Sequence, residues 1–477
     1  MNSSRALLLV LTTTCVAGAA EQKNLLVIET DEHHFKTLGC YGGKIVGTPN
    51  IDWIADNGAK CTSFYATTPV CSPSRAALMS GLYPQKTPVT ANNIALDDSV
   101  ITFAEILKRS GYATGYAGKW HLDGDGKPQW APKRKFGFAD NRFMFNRGHW
   151  KKFEDTADGP RVGSRNKKGP NYSLNGADKT TFSTDWLCDK AVDFIDLNAG
   201  KPWCYVVNLP DPHGPNTVRA PYDSMYDDVE VKLPPTFRRK PEQIPKWGAP
   251  ANVKPAQLKK LMRTYYGMVK CIDDNVGKLI ETLREKKLLE DTIIVFTADH
   301  GDLCGEHGRL NKGVPYEGSA RIPFLMYCHG QIKPGTVVSE ALSNVDFLPT
   351  VMSMVDVKFE HKVDGRDATQ LFAGGSAEKW NDIAIIRSTG RPGRTGNAWL
   401  AAITQQYKLV FSTNEEPWLI DIENDPSELT NIFALPKHKP LIKRLTQELV
   451  AYAKQNDDPY VTYPGIRPWI GQVIGSE

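Results

Sequence analysis

Four short runs of this chain are almost continuously apolar, and longer stretches with helical spacing separate them. Residues 24–30 (with Leu25, Leu26, Val27 and Ile28), 203–208, 292–297 and 323–327 read as strands buried on both faces, not as half-exposed strands that alternate. Between them, residues 258–289 carry a long helical periodicity and residues 99–109 a shorter one. This alternation predicts an α/β fold: a large mixed, mostly parallel sheet sandwiched by helices. Such sheets place their sites beyond the C-terminal ends of the strands. Asp31-Glu32 and Asp299-His300 each follow a strand directly.

Two segments depart from the rhythm. Residues 130–170 read as a strand-poor basic insertion, with eleven Lys or Arg against four acids and with Trp130, Phe136, Phe143, Phe145 and Trp150 interleaved. From about Val357 onward the pattern becomes that of a smaller α+β unit. Residues 383–386, 400–403 and 407–411 are strand-like there, and residues 441–453 are helical. The expected organisation is therefore a catalytic domain over residues 21–356 that contains the insertion, and a C-terminal domain over 357–477.

At 477 residues the chain can bury a sizeable core, and a net charge of +4 is too small to imply nucleic-acid binding. Arg5, the apolar run from Ala6 to Leu11 and the small residues Ala17-Gly18-Ala19-Ala20 read as a secretory signal peptide over residues 1–20. That implies a secreted or periplasmic protein with no transmembrane anchor; lipid attachment at Cys15 is the lesser reading, because Thr12 stands where an aliphatic residue is usual. Nine scattered cysteines do not make a dense disulfide framework.

The stretch richest in chemistry is Cys71-Ser72-Pro73-Ser74-Arg75, followed by Ala76-Ala77-Leu78-Met79-Ser80-Gly81. Pro73 suits the first turn of a helix, Cys71 and Arg75 share a helical face, and a helix N-terminus offers free N–H groups to an anion. The pentapeptide resembles the C-x-P-x-R signature of the type I, formylglycine-dependent sulfatases of the alkaline-phosphatase-like superfamily. Further motifs resembling that family follow in chain order. They are Asp31-Glu32, Gly118-Lys119-Trp120-His121, Asp211-Pro212-His213-Gly214, Thr297-Ala298-Asp299-His300, Gly305-Glu306-His307-Gly308 with Asn311-Lys312-Gly313, and the closing run from Leu419 to Glu428.

The resemblance implies that Cys71 is oxidised to formylglycine by a formylglycine-generating or sulfatase-maturing enzyme and becomes the nucleophile. It further implies one divalent metal ion held by Asp31, Glu32, residue 71, Asp299 and His300. Ca²⁺ is favoured, with Mg²⁺ or Mn²⁺ as alternatives, since three carboxylates are hard oxygen donors and His300 is a softer one. Arg75 would hold the nucleophile, Lys119 and Lys312 would clamp the sulfate, His121 would accept a proton from the hydrate, and His213 would protonate the departing alcohol. His34, His149 and His361 are read as capping or surface residues, and His33, His34 and His307, although near the motifs, stand outside the primary site. A sulfated carbohydrate is the expected substrate, and the insertion, faced by Arg387, Arg391 and Arg394, is the expected wall for its further sulfates. The alternatives are a phosphodiesterase or phosphonate monoester hydrolase of the same superfamily, and a non-catalytic binder of sulfated glycans.

Overall fold

The computed structural model describes residues 22–375, 380–390 and 397–475. The signal-peptide reading over 1–20, Cys15, Arg391 and Arg394 lie outside the described residues. Eight strands form the main sheet: β1 (Asn24–Asp31), β2 (Ala59–Cys61), β3 (Ala113–Lys119), β4 (Asp140–Phe145), β5 (Trp203–Pro212), β6 (Thr292–Ala298), β7 (Phe324–Tyr327) and β8 (Thr336–Val338). Their order is β8-β2-β7-β6-β1-β5-β3-β4, and among them only β7 runs against its neighbours. The expected mixed, mostly parallel sheet is thus present.

β1 lies at its centre and every residue of it is buried. Leu25 and Val27 face one apolar cluster while Leu26 and Ile28 face the other, which is why the run is apolar throughout. Helices cover both faces. On the first side lie α2 (Cys71–Ser80), α3 (Phe103–Arg109) and α6 (Phe347–Met354); on the second lie α1 (Pro49–Asn57), α4 (Ser183–Asn198) and α5 (Pro255–Glu285). α3 starts four residues later than the periodicity predicts, because Thr102 and Glu105 form a reciprocal cap that sets its first turn. No helix among the described residues is long and apolar enough to cross a membrane.

The insertion is not strand-poor. β4 is an edge strand of the main sheet, paired with β3, and two hairpins follow it, Phe153–Thr156 with Gly159–Val162 and Arg165–Asn166 with Gly169–Pro170. The charges disguised it: Met144 and Phe145 are buried, whereas Arg142 points to solvent.

A second, four-stranded antiparallel sheet contains β9 (Ala384–Arg387), β10 (Trp399–Ile403), β11 (Tyr407–Ser412) and β12 (Trp418–Asp421). One face, with Leu400, Ala402, Leu409 and Phe411, packs on α7 (Lys439–Gln455); the other, with Ala401, Val410 and Trp418, packs on Tyr65, Leu303 and Tyr316 of the large unit. Val357, Ala368, Leu371 and Phe372 still belong to the core of the large unit. The smaller unit therefore begins nearer β9 than Val357, since apolar packing and not the change in pattern sets the boundary.

Candidate active site

The C-terminal ends of β1, β3, β5 and β6 meet the N-terminus of α2, and the site lies at that junction. All of α2 is buried. Ser72 Oγ donates to the His121 carbonyl at 2.8 Å, Ser74 Oγ donates to the Asp299 carbonyl, and Asn344 Nδ2 donates to Ser74 O at 2.8 Å. The small polar residues of Cys71-Ser72-Pro73-Ser74-Arg75 thus clip the helix start to the loops after β3 and β6.

Arg75 projects from the first turn among three carboxylates. Its Nε donates to Asp299 Oδ2 at 3.0 Å, Nη2 lies 3.2 Å from Asp31 Oδ2, and Nη1 donates to the Lys119 carbonyl at 2.9 Å. Glu29 Oε2 is 3.7 Å from the same guanidinium. Burial pushes the Glu29 carboxyl up to about 7 although Arg75 pulls it down. Lys119 ends β3, where Gly118 (φ +112°) permits a close approach: a Cβ there would sit 1.8 Å from Asn208 O. Lys119 Nζ donates to Asp31 Oδ2 and lies 2.9 Å from His149 Nε2.

Asp31, Cys71, Asp299 and His300 place their ligand atoms within 4.8 Å of one another, all four residues being buried. Asp31 Oδ1 has no hydrogen-bond partner, so it is a buried carboxylate oxygen that calls for a cation. Asp299 Oδ1 accepts from the amides of Glu32 (3.1 Å) and His300 (2.8 Å), and His300 Nε2 lies 3.2 Å from Cys71 Sγ. Burial disfavours a charged His300, yet Asp299 and Cys71 together outweigh it and the ring rises to about 9. For Cys71 burial works against the thiolate, and Lys119 and Lys312 reverse this, holding the thiol well below its ordinary value. Two carboxylates and an imidazole beside residue 71 have the spacing to hold a divalent ion, and the two carboxylates are its hard oxygen donors.

Glu32, expected among the ligands, stands apart from that cluster. Its backbone has φ 62°, and its carboxylate turns to His213 Nε2 (2.9 Å) and Lys312 Nζ (3.2 Å). Burial raises its pKa, but the two cations prevail and hold it at about 2. Lys312 Nζ and His213 Nε2 are 2.8 Å apart, and His213 Nδ1 lies 2.7 Å from Gly214 O. His121 has φ 57°, Nε2 lies 2.9 Å from Asn93 Oδ1, and burial lowers its pKa while contact with Cys71 opposes this. Every residue expected in the site is thus brought to one place.

Three members escaped the sequence reading. His149, grouped above with surface histidines, lies 3.7 Å from Asp31 and stacks on His213, and burial, Lys119 and His213 push it well below its ordinary pKa. Glu29 sits inside a strand, and Asn93 in a loop without a motif. None carries a local signal, apart from Glu29 being a charged residue in an apolar run.

The expected cationic wall does not form from the insertion. Lys151 is buried on Asp211; Arg142 is forked on Asp140 at 2.9 and 2.8 Å, Arg147 lies 2.8 Å from Asp125, and Lys152 lies 3.4 Å from Glu154. Phe145 and Trp150 belong to the core, and Arg387 is buried, 3.2 Å from Asp458. Two of the partners, Asp125 and Asp211, lie outside residues 130–170, so a charge count over that window overstates the free charge. Arg165, Lys167 and Lys168 remain exposed on the last hairpin.

Residues 23–357 match the family model of the sulfatases, and residues 305–455 match that of the N-sulphoglucosamine sulphohydrolase C-terminal region. The chain is 28% identical to the ulvan-active sulfatase of Formosa agariphila, over 89% of this chain and 80% of that one. It is 26% identical to the N-acetylglucosamine-6-O-sulfatase of Bacteroides thetaiotaomicron, over 92% and 87%. The solved structure of the Bacteroides fragilis protein named as the sulfatase yidJ superposes with a TM-score of 0.78 at 26% identity, covering 93% of this chain and 97% of that one. A buried cysteine at a helix start, two lysines, two histidines and a carboxylate cluster stand where this match puts the catalytic domain, and the chain belongs to the sulfatase family, as a sulfuric ester hydrolase of the alkaline-phosphatase-like superfamily.

Proposed function

We propose that this enzyme hydrolyses sulfate esters of a sulfated carbohydrate outside the cytoplasm, using formylglycine at position 71 and one divalent metal ion. The observation that carries the reading is the convergence of Cys71 with Arg75, Lys119, His121, His213 and Lys312 around one buried carboxylate cluster. The carbohydrate assignment rests on the relatives named above, one acting on ulvan by its name and one on N-acetylglucosamine 6-O-sulfate. Export rests on the signal-peptide pattern of residues 1–20.

Asp31, Asp299, His300 and residue 71 would hold the ion, which when bound supplies a positive charge that polarises an S–O bond and favours an ionised hydroxyl. Formylglycine, once hydrated, supplies a geminal diol in place of a thiol, one hydroxyl of which attacks sulfur. The protein's own groups do the rest. Arg75 is fixed by Asp299 and Asp31 beside the nucleophile and offsets their charge. Lys119 and Lys312 approach from opposite loops and bind sulfate oxygens, so the charge that develops there meets positioned cations. His121 takes a proton from residue 71. His213 gives one to the departing alcohol, its Nε2 held 2.9 Å from the Glu32 carboxylate.

The test is protein co-expressed with a sulfatase-maturing enzyme and assayed on defined sulfated oligosaccharides resolved by sulfate position. Mass spectrometry of the peptide holding residues 71–75 should show sulfur lost and oxygen gained, and Cys71→Ala should abolish turnover. Unmodified cysteine in fully active enzyme refutes the nucleophile. Faster cleavage of an aryl phosphonate than of its paired aryl sulfate would establish the phosphonate reading in its place.

A further inference from the structure

Residues 146–151 form the turn after β4, wedged between the loop of Lys119 and His121 and the loop of His213. The His121 amide donates to Asn146 O at 2.7 Å, and Lys151 Nζ reaches both Asp211 Oδ1 and, at 3.3 Å, the His213 carbonyl. Gly148 has φ +116°, and a Cβ there would lie 2.4 Å from the Trp150 ring, so the turn requires glycine. What this turn delivers is His149. Its Nε2 lies 2.9 Å from Lys119 Nζ, and its ring lies parallel to that of His213, with centroids 3.5 Å apart and planes 7° apart. Asp31, His149 and His213 also bring ligand atoms within 4.8 Å of one another. Rings stacked face to face point their in-plane lone pairs side by side, however, and cannot converge on one ion, so the arrangement serves contact between the rings.

We propose that His149 is a positioning residue of the sulfatase reaction, its ring setting the plane of His213 and its Nε2 taking one N–H of Lys119. The inference rests on the reading of His213 as the acid that protonates the leaving alcohol. An ammonium has three N–H groups. Asp31 takes one and His149 a second, which leaves the third for a sulfate oxygen. Stacking fixes the one freedom that the edge contacts of His213 leave, rotation of its ring plane about the line from Gly214 O to Glu32.

Two substitutions separate the two roles. His149→Phe keeps a flat face and loses the acceptor, whereas His149→Ala loses both. The assay is kcat/KM of the matured enzyme on aryl sulfates running from 4-nitrophenyl, whose phenolate leaves unaided, to unsubstituted phenyl, which needs a proton, with His213→Ala alongside. His149→Phe should lose about tenfold on every ester, the size of one hydrogen bond to a charged group. His149→Ala should add a loss that grows along the series to about tenfold more at phenyl sulfate, part of the 10²–10⁴-fold that general acid catalysis is worth. Equal losses for the two variants across the series would overturn the stacking role, and losses within twofold of the parent would overturn both roles. If His213→Ala steepens the series while His149→Ala does not, this inference alone fails. If His213→Ala leaves the series unchanged, the acid assignment fails and takes the stacking role with it.

Discussion

Glu29 lies inside the central strand, and the charge it carries at neutral pH should cost the folded protein stability that Glu29→Gln recovers. Its Oε2 accepts from Asn208 Nδ2 and sits 3.7 Å from Arg75, while Oε1 is buried with no partner. Burial, partly offset by Arg75, raises the carboxyl from 4.5 to about 7, so the folded state holds this proton more tightly than the unfolded chain does. As pH rises from 4.5 to 7 the unfolded chain ionises freely and the folded one resists, and stability falls through that window. Below 4.5 the penalty is absent; above 7 it is complete. A tenfold difference in proton affinity is worth about 1.4 kcal/mol, which puts the full penalty at about 3 kcal/mol. Glutamine has the shape of the protonated acid and removes it. Denaturant unfolding of both proteins without metal, from pH 4.5 to 8.5, should give curves that coincide at the acid end and separate until the variant is about 3 kcal/mol more stable. A divalent ion in the neighbouring cluster should shrink the gap, because it supplies the charge that Glu29 lacks. A variant less stable than the parent at pH 8, or a gap that does not change with pH, would refute the reasoning.

The metal cluster and the domain contact give two more tests. Ca²⁺ at about a hundredfold over its Kd should stabilise the parent by about 2.7 kcal/mol. That shift should be missing in Asp299→Asn, and a chelator should remove activity with it; full turnover after metal stripping would overturn the ligand assignment. Lys408 is buried between the two units, with Nζ 2.7 Å from Glu317 Oε1, 2.8 Å from Glu428 Oε1 and 2.7 Å from the Pro315 carbonyl. Lys408→Met removes the cation that two buried acids share, leaving Glu317 only the more distant Arg321 at 3.5 Å, and should cost about 3 kcal/mol, with unfolding of the C-terminal sheet detected first by hydrogen exchange; a change below 1 kcal/mol would contradict this.

Much of this molecule is written locally. Residues 24–30 need both faces covered, and a short apolar run bounded by polar residues meets that need as a central strand. Pro73, the small serines and the four-residue spacing of Cys71 and Arg75 make a buried helix start that carries both side chains inward. The motif residues reach one site because each lies at or just beyond a strand end or helix start, and a mostly parallel sheet gathers such ends on one edge. Patterns of this kind depend on neighbours within a turn or two of backbone, so they are visible in one dimension.

Long-range electrostatics and packing are not. Lys151 reads as one cation among eleven until folding brings it to Asp211, and Arg147 reads as free until it meets Asp125. β4 looks like loop because its exposed face is charged, and pairing with β3 makes it a strand. Glu32 has the composition of a metal ligand, but a left-handed backbone and the nearness of Lys312 and His213 turn it elsewhere. His149 has no motif, and enters the site only because a glycine turn packs it against His213, 64 residues later in the chain. A charge takes its meaning from whichever opposite charge lies within a few ångströms in a medium that screens poorly, and the tertiary structure alone decides which one that is.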